Sequence, residues 1–129
     1  MPTYRARMYT PNELSARLRL LTATGAVLAA AAVALSAYAA HAAQGNAQAS
    51  LYVAAILAFG HGIALVALAP RTPTQLHFLA LCGLLLGTLL FSGSLVLHHV
   101  LELPVRLAPL GGSVLILSWL LYAVAALRR

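Results

Sequence analysis

The sequence predicts an all-α, polytopic membrane protein of four transmembrane helices in an up-down bundle, and three observations carry that reading. Of 129 residues, 62% are hydrophobic and 8% charged, with a mean hydropathy of +0.91, outside the range of soluble domains. Apolar runs recur that are long enough to cross a hydrocarbon core of about 30 Å at 1.5 Å per residue. The net charge of +6 comes without a single Lys, from Arg scattered at the ends of those runs and not on one polar face. Such basicity sets topology and gives no nucleic-acid footprint. The expected partners are therefore the lipid bilayer and either a second copy or another membrane protein, and no nucleic acid.

Residues 1–19 form a basic arm carrying Arg5, Arg7, Arg17 and Arg19 with Tyr4, Met8 and Tyr9. Within it Thr10-Pro11-Asn12-Glu13 reads as a capping box with Pro at the first helical position, so helix 1 starts at Pro11. The transmembrane domain covers 20–129, with spans at about 20–43, 51–69, 75–98 and 108–127. Helix 1 carries a small-residue stripe, Gly25, Ala29, Ala32, Ser36 and Ala40, that suits close approach to a neighbour. Arg17 and Arg19 before an apolar run ending in Ala40-His41-Ala42 also match a secretory signal with its cleavage site; the three spans that follow favour a retained helix. Gly45-Asn46 reads as a helix stop, with Ser50 capping helix 2. Thr72-Pro73-Thr74-Gln75 repeats the capping-box device, so helices 1 and 3 begin alike, a faint sign of two duplicated hairpins. His77, at the entry of helix 3, is expected to snorkel to the interface. Glu102, Pro104 and Arg106 mark the last polar loop, Pro109 the first turn of helix 4, and Trp119 is expected to pack on small residues mid-helix. The single Cys82 forms no internal disulfide and behaves as a small hydrophobe.

Helix 3 organises the chain. Small residues and hydroxyls drive helix association in a bilayer, because apolar surface gains nothing by leaving lipid. On a wheel of about 100° per residue, Ala80, Gly83, Gly87, Ser94 and His98 share one face, and Thr88, Ser92 and His99 the opposite one. Two seams imply neighbours on both sides, and ordinary packing accounts for them without chemistry.

No catalytic, cofactor or metal set assembles from these residues. His61, flanked by Gly60 and Gly62, lies near the bilayer midplane, where an ionisable side chain needs a partner; a neutral ring bonding a neighbouring helix is the plain account, a proton, metal or ligand role the alternative. His98 and His99 point about 100° apart and lack the spacing of a zinc or copper site. His61 lies too deep to share a haem with His41 or His98. A Ser92 or Ser94 nucleophile lacks an acid to orient a base, and a proton-coupled transporter lacks the intramembrane carboxylate, since Glu13 and Glu102 sit in polar segments. The chain reads as no enzyme.

Leu86-Gly-Thr-Leu-Leu-Phe-Ser-Gly-Ser-Leu95, the Ala40-His41 pair, His61, and Pro109-Leu-Gly-Gly-Ser113 followed by Trp119 resemble the YgdD-type family of small integral membrane proteins, the domain of unknown function four-two-three. The likeness runs from Gly25 to Leu127. It implies a four-helix protein of the bacterial inner membrane, and implies no activity. Ser36-Ala37-Tyr38-Ala39-Ala40-His41 departs from the family's Gly-Ala-Phe-Gly-Ala-His, and the following connection is shortened, which leaves less room for a site there.

Four spans put both termini and the middle loop on one side with Arg5, Arg7, Arg17, Arg19, Arg71, Arg128 and Arg129, against Arg106 alone on the other; the expected orientation has both termini cytoplasmic. The candidate packing or functional positions are His41, His61, Gly83, Gly87, Ser92, Gly93, Ser94, Gly111, Gly112 and Ser113. The expected role is association, as a homo-oligomer or a small accessory subunit. The alternative is a transporter or ligand-binding module with a site between His41, His61, Ser94 and Gly111 to Ser113.

Overall fold

A computed structural model describes residues 11–104 and 106–128; the basic arm up to Thr10, the capping box built on Thr10, and Arg129 fall outside them. Four helices run in order: α1 (Pro11–Ala42), α2 (Gly45–Leu68), α3 (Gln75–Val100) and α4 (Ala108–Leu127), with a 3-10 turn at Ala69–Arg71. All four are long and apolar enough to cross a membrane, and the chain is a multi-pass membrane protein. One end of the bundle carries Arg17, Arg71 and Arg128 and is called the basic end; the other carries His41, His98 and His99 and is called the histidine end.

α1 and α2 pack chiefly on each other, as do α3 and α4, and a smaller α2–α3 contact joins the two pairs. The first and last helices do not close the ring. The core gathers towards the basic end, where Leu21 of α1 meets Leu65 and Ala69 beside Leu81 and Leu84 of α3, with Leu115 of α4 in the same cluster. Away from it α1 leans on α2 through Ala32 and Ala39 against Ala54, Ala55 and Ala58, all buried.

The connections differ from the sequence expectation. Only Ala43 and Gln44 separate α1 from α2. Gly45 has φ +58°, left-handed backbone that glycine adopts freely, so one residue both reverses the chain and opens α2. Ser50 is thus a mid-helix residue and caps nothing; Gln48 instead ties the corner by donating from Nε2 to the Ala39 carbonyl at 2.9 Å. At the other corner Thr74, not Thr72, caps α3, its hydroxyl accepting from the His77 amide. Thr72 is extended at φ −73°, ψ 110°, as expected before a proline, but α3 begins only at Gln75. The Thr72 hydroxyl donates back to the Leu68 carbonyl, so α1 and α3 do not share a matching start. The α1 stripe drifts as well: Ala39 is buried where Ala40 was expected, and Ala40 is exposed.

Candidate functional site

Both faces of α3 are used inside the chain. Gly83 and Gly87 face α4: a Cβ on Gly87 would stand 2.9 Å from the Leu115 nitrogen and 3.0 Å from the Gly111 carbonyl oxygen, and one on Gly111 would strike the Phe91 backbone. Ser118 lies over Gly83. The opposite face meets α2, where Ser92 donates to the Ala54 carbonyl at 2.8 Å, while the fully buried Thr88 donates back to Leu84. Ser94 is buried and its hydroxyl accepts from the Leu107 amide at 3.1 Å, pinning the residue that precedes α4. Gly112 lies against the Phe91 ring, and Ser113 is exposed and donates to Pro109. Gly93 faces open space: a Cβ there would meet nothing within 4 Å.

Of the candidate histidines, His61 is the most fully accounted for. Its Nδ1 lies 2.7 Å from the Leu57 carbonyl oxygen, and its Nε2 lies 3.2 Å from Nε1 of Trp119. A carbonyl only accepts and an indole N–H only donates, so the ring is neutral with its proton on Nδ1, and it bridges α2 to α4. The bridge corrects the expectation for Trp119, which bonds His61 and stays 40% exposed instead of being buried among small residues.

His77 departs furthest from expectation. It does not snorkel; it is 0% exposed, with Nδ1 at 2.7 Å from the Thr74 hydroxyl and its ring edge-on to Tyr122 at 5.0 Å. Its Nε2 is buried without a hydrogen-bond partner among the described residues. With Trp119 edge-on to Tyr122 at 6.1 Å, four rings run from mid-bundle to the basic end. Their common feature in the sequence is the spacing of Trp119 and Tyr122 by one helical turn, which puts both on one face of α4.

The four-part site expected between His41, His61, Ser94 and Gly111 to Ser113 does not come together. His41 is exposed on α1, which does not pack on α4, while Ser94 and Gly111 are taken up in the α3–α4 contact. His98 is exposed, donates from Nδ1 to the Leu103 carbonyl, and packs edge-on to His99. Among the described residues no three of His, Cys, Asp and Glu are grouped to hold a metal ion.

Two apolar grooves flank α1 instead. One lies between α1 and α3 with Ala58 of α2 as its floor and holds about 420 Å³; the other lies between α1 and α2, is lined by Val33, Ser36, Ala37 and Ala40 against Ile56, Phe59 and Gly60, and holds about 710 Å³. Gly60, like Gly93, has open space where a side chain would be. Sequence reasoning missed both grooves; an unpaired glycine in mid-helix was the one available signal.

A family model described as a protein of unknown function (DUF423) matches residues 35–112, from the histidine-end half of α1 to the first turn of α4. No curated protein and no solved structure matches the chain.

Proposed function

The chain belongs to the DUF423 family of unknown function, and on that premise we propose that it is a non-enzymatic membrane protein acting by association, with a second copy of itself or as a small accessory subunit of a membrane complex. The groove between α1 and α2 carries this reading. Over the roughly 12 Å from Ala32 to Ala40 its 710 Å³ amounts to a cross-section of about 60 Å², room for one flank of a helix 10–12 Å across. Ala32, Ala37, Ala40, Ala55 and Gly60 line it beside Val33, Ile56 and Phe59, and such small residues let backbones approach. The Ser36 hydroxyl on its α1 wall makes no hydrogen bond among the described residues and is placed to bond a neighbouring helix. Against a transporter stands the separate engagement of His61, Ser94 and Gly111 in contacts within the bundle.

The same reading puts the protein in the bacterial inner membrane with both termini cytoplasmic, supported by the concentration of Arg at the basic end. Native mass spectrometry from lipid nanodiscs tests the association: a dimer, or a complex with a co-purifying membrane protein, is expected from the wild type. Gly60→Leu fills the groove from α2, starting from a Cβ position with nothing within 4 Å, and is expected to reduce the assembled fraction at least tenfold. A strictly monomeric wild type, or assembly indifferent to Gly60→Leu, sinks the proposal.

A further inference from the structure

We propose that the basic end binds the phosphate headgroups of acidic phospholipids through Arg17, Arg19, Arg71 and Arg128. The four residues come from α1, the 3-10 turn and the C-terminal cap of α4, and all are exposed. Each stands just outside a buried residue of its own segment: Arg17 and Arg19 before Leu21, Arg71 after Ala69, and Arg128 after Ala125. At 1.5 Å per residue in an α-helix and 2.0 Å in a 3-10 turn, those steps are about 3–6 Å. Leu21 and Ala69 belong to one core cluster, so the charges gather at one end of the bundle and are not spread along it. A headgroup layer is about 5–7 Å deep on each face of the hydrocarbon core, and the four cations stand within that depth.

The charge balance selects the sign of the lipid. The chain has two carboxylate residues, Glu13 in the first turn of α1 and Glu102 at the histidine end. Four arginines therefore stand against one glutamate at the basic end, whereas Arg106 and Glu102 offset each other at the histidine end. Arginine suits the task by more than charge, because its planar fork of donors matches a phosphate in a bidentate pair. Arg71 is also held in place, with Pro70 inside its 3-10 turn and Pro73 just after it, and proline restricts the backbone. The surroundings identify an amphiphile and not a free anion. Leu20 beside Arg19 is 68% exposed and Leu127 beside Arg128 is 86% exposed, so cation and bare apolar surface adjoin as headgroup and acyl chain do in one lipid. Each cation near an anionic lipid surface strengthens the attraction about fivefold.

The surface needs neither the association proposed above nor a particular orientation, and symmetric bilayers keep the three apart. The full chain is placed in nanodiscs of equal parts palmitoyl-oleoyl phosphatidylglycerol and palmitoyl-oleoyl phosphatidylcholine, and the lipids retained on the released protein are identified by native mass spectrometry. The wild type is expected to retain phosphatidylglycerol over phosphatidylcholine at least tenfold. The combined variant Arg17→Gln, Arg19→Gln, Arg71→Gln and Arg128→Gln is expected to retain the two lipids equally, with helical content by circular dichroism unchanged. Arg106→Gln, at the other end, is expected to leave the preference as it is, and so is Gly60→Leu, whatever it does to assembly. Excess inorganic phosphate is expected to leave it too, since a free anion gains nothing from the exposed leucines. Equal retention by the wild type, a preference that survives the combined variant in folded form, loss with Arg106→Gln or Gly60→Leu, or displacement by inorganic phosphate overturns the assignment.

Discussion

The chain is two helical hairpins, and they close by the same device at different depths. In α1–α2 the tight crossing is Gly25 on Gly62, where a Cβ on either would stand 2.7 Å from the other's carbonyl oxygen, and it lies towards the basic end. In α3–α4 the crossing is Gly87 on Gly111, beside the start of α4 and so nearer the histidine end. A hairpin pinched near its open end keeps its far half loosely flanked, and both grooves sit against that half of α1. A hairpin pinched near its own turn, with Ser94 holding Leu107, leaves no such margin. The depth of one glycine contact thus separates a hairpin with exposed grooves from one that serves as a brace.

Moving bulk into these crossings breaks the comparison most forcefully. Gly111→Leu drives a side chain into the Phe91 backbone, which has no rotamer to escape through, and is expected to cost about 3 kcal/mol or more in an unfolding titration from mixed micelles. Gly62→Ala meets the Gly25 oxygen and the Ala29 nitrogen and is expected to cost about 1–3 kcal/mol. Disulfide trapping between introduced cysteine pairs, on a Cys82→Ala background, should show α1–α2 loosened and α3–α4 intact in the second variant, and the reverse in the first. Loss of both hairpins together in either one would mean that they are not separate units.

The turns sharpen the same contrast at a smaller scale. Both hairpins turn through a left-handed residue, Gly45 at φ +58° and Glu102 at φ +54°, but only glycine sits there without strain. Gly45→Ala is expected to destabilise and Glu102→Gly to stabilise, each by about 1 kcal/mol, in the same titration; equal signs would show that the turns are not equivalent.

The smallest effects belong to the polar links between hairpins. Ser92→Ala removes the bond to Ala54, and Trp119→Phe the bond to His61; interhelical hydrogen bonds in a bilayer average about 0.6 kcal/mol. The sharper readout for Trp119→Phe is the nitrogen chemical shift of His61, where Nε2 should move towards that of an unbonded ring nitrogen while Nδ1 keeps its proton. A shift of both nitrogens would contradict the assigned tautomer.

Much of this was legible in the sequence, and the physics says which parts. Four spans follow from hydropathy and length alone. The two faces of α3 follow from small residues and hydroxyls at helical spacing, because that pattern has one use in lipid, and Gly83, Gly87, Ser92 and Ser94 all lie where it puts them. The turns were harder: Gly45 satisfies the end of one helix and the start of the next equally well, and Thr72 and Thr74 both precede α3, with nothing in the sequence to tell which hydroxyl turns back to the preceding helix. His77 was misread because its burial depends on Tyr122, which the fold brings in from the end of α4. The expected four-part site failed for a related reason. Its members were grouped by depth in the membrane, from the midplane to the histidine end, but depth alone does not make helices adjacent, and α1 does not pack on α4. The grooves were out of reach because they arise from how helices diverge, which no single helix encodes.

The order of packing also bears on how the molecule is made. Since α1 and α2 have their principal surfaces on each other, as do α3 and α4, and a smaller α2–α3 contact joins the two pairs, the second and fourth spans each leave the ribosome with their main partner already made. Contacts between consecutive segments close short loops, the least costly kind in chain entropy, and favour fast assembly. A nascent chain of this design holds α1, and later α3, in waiting only for the span that follows it directly.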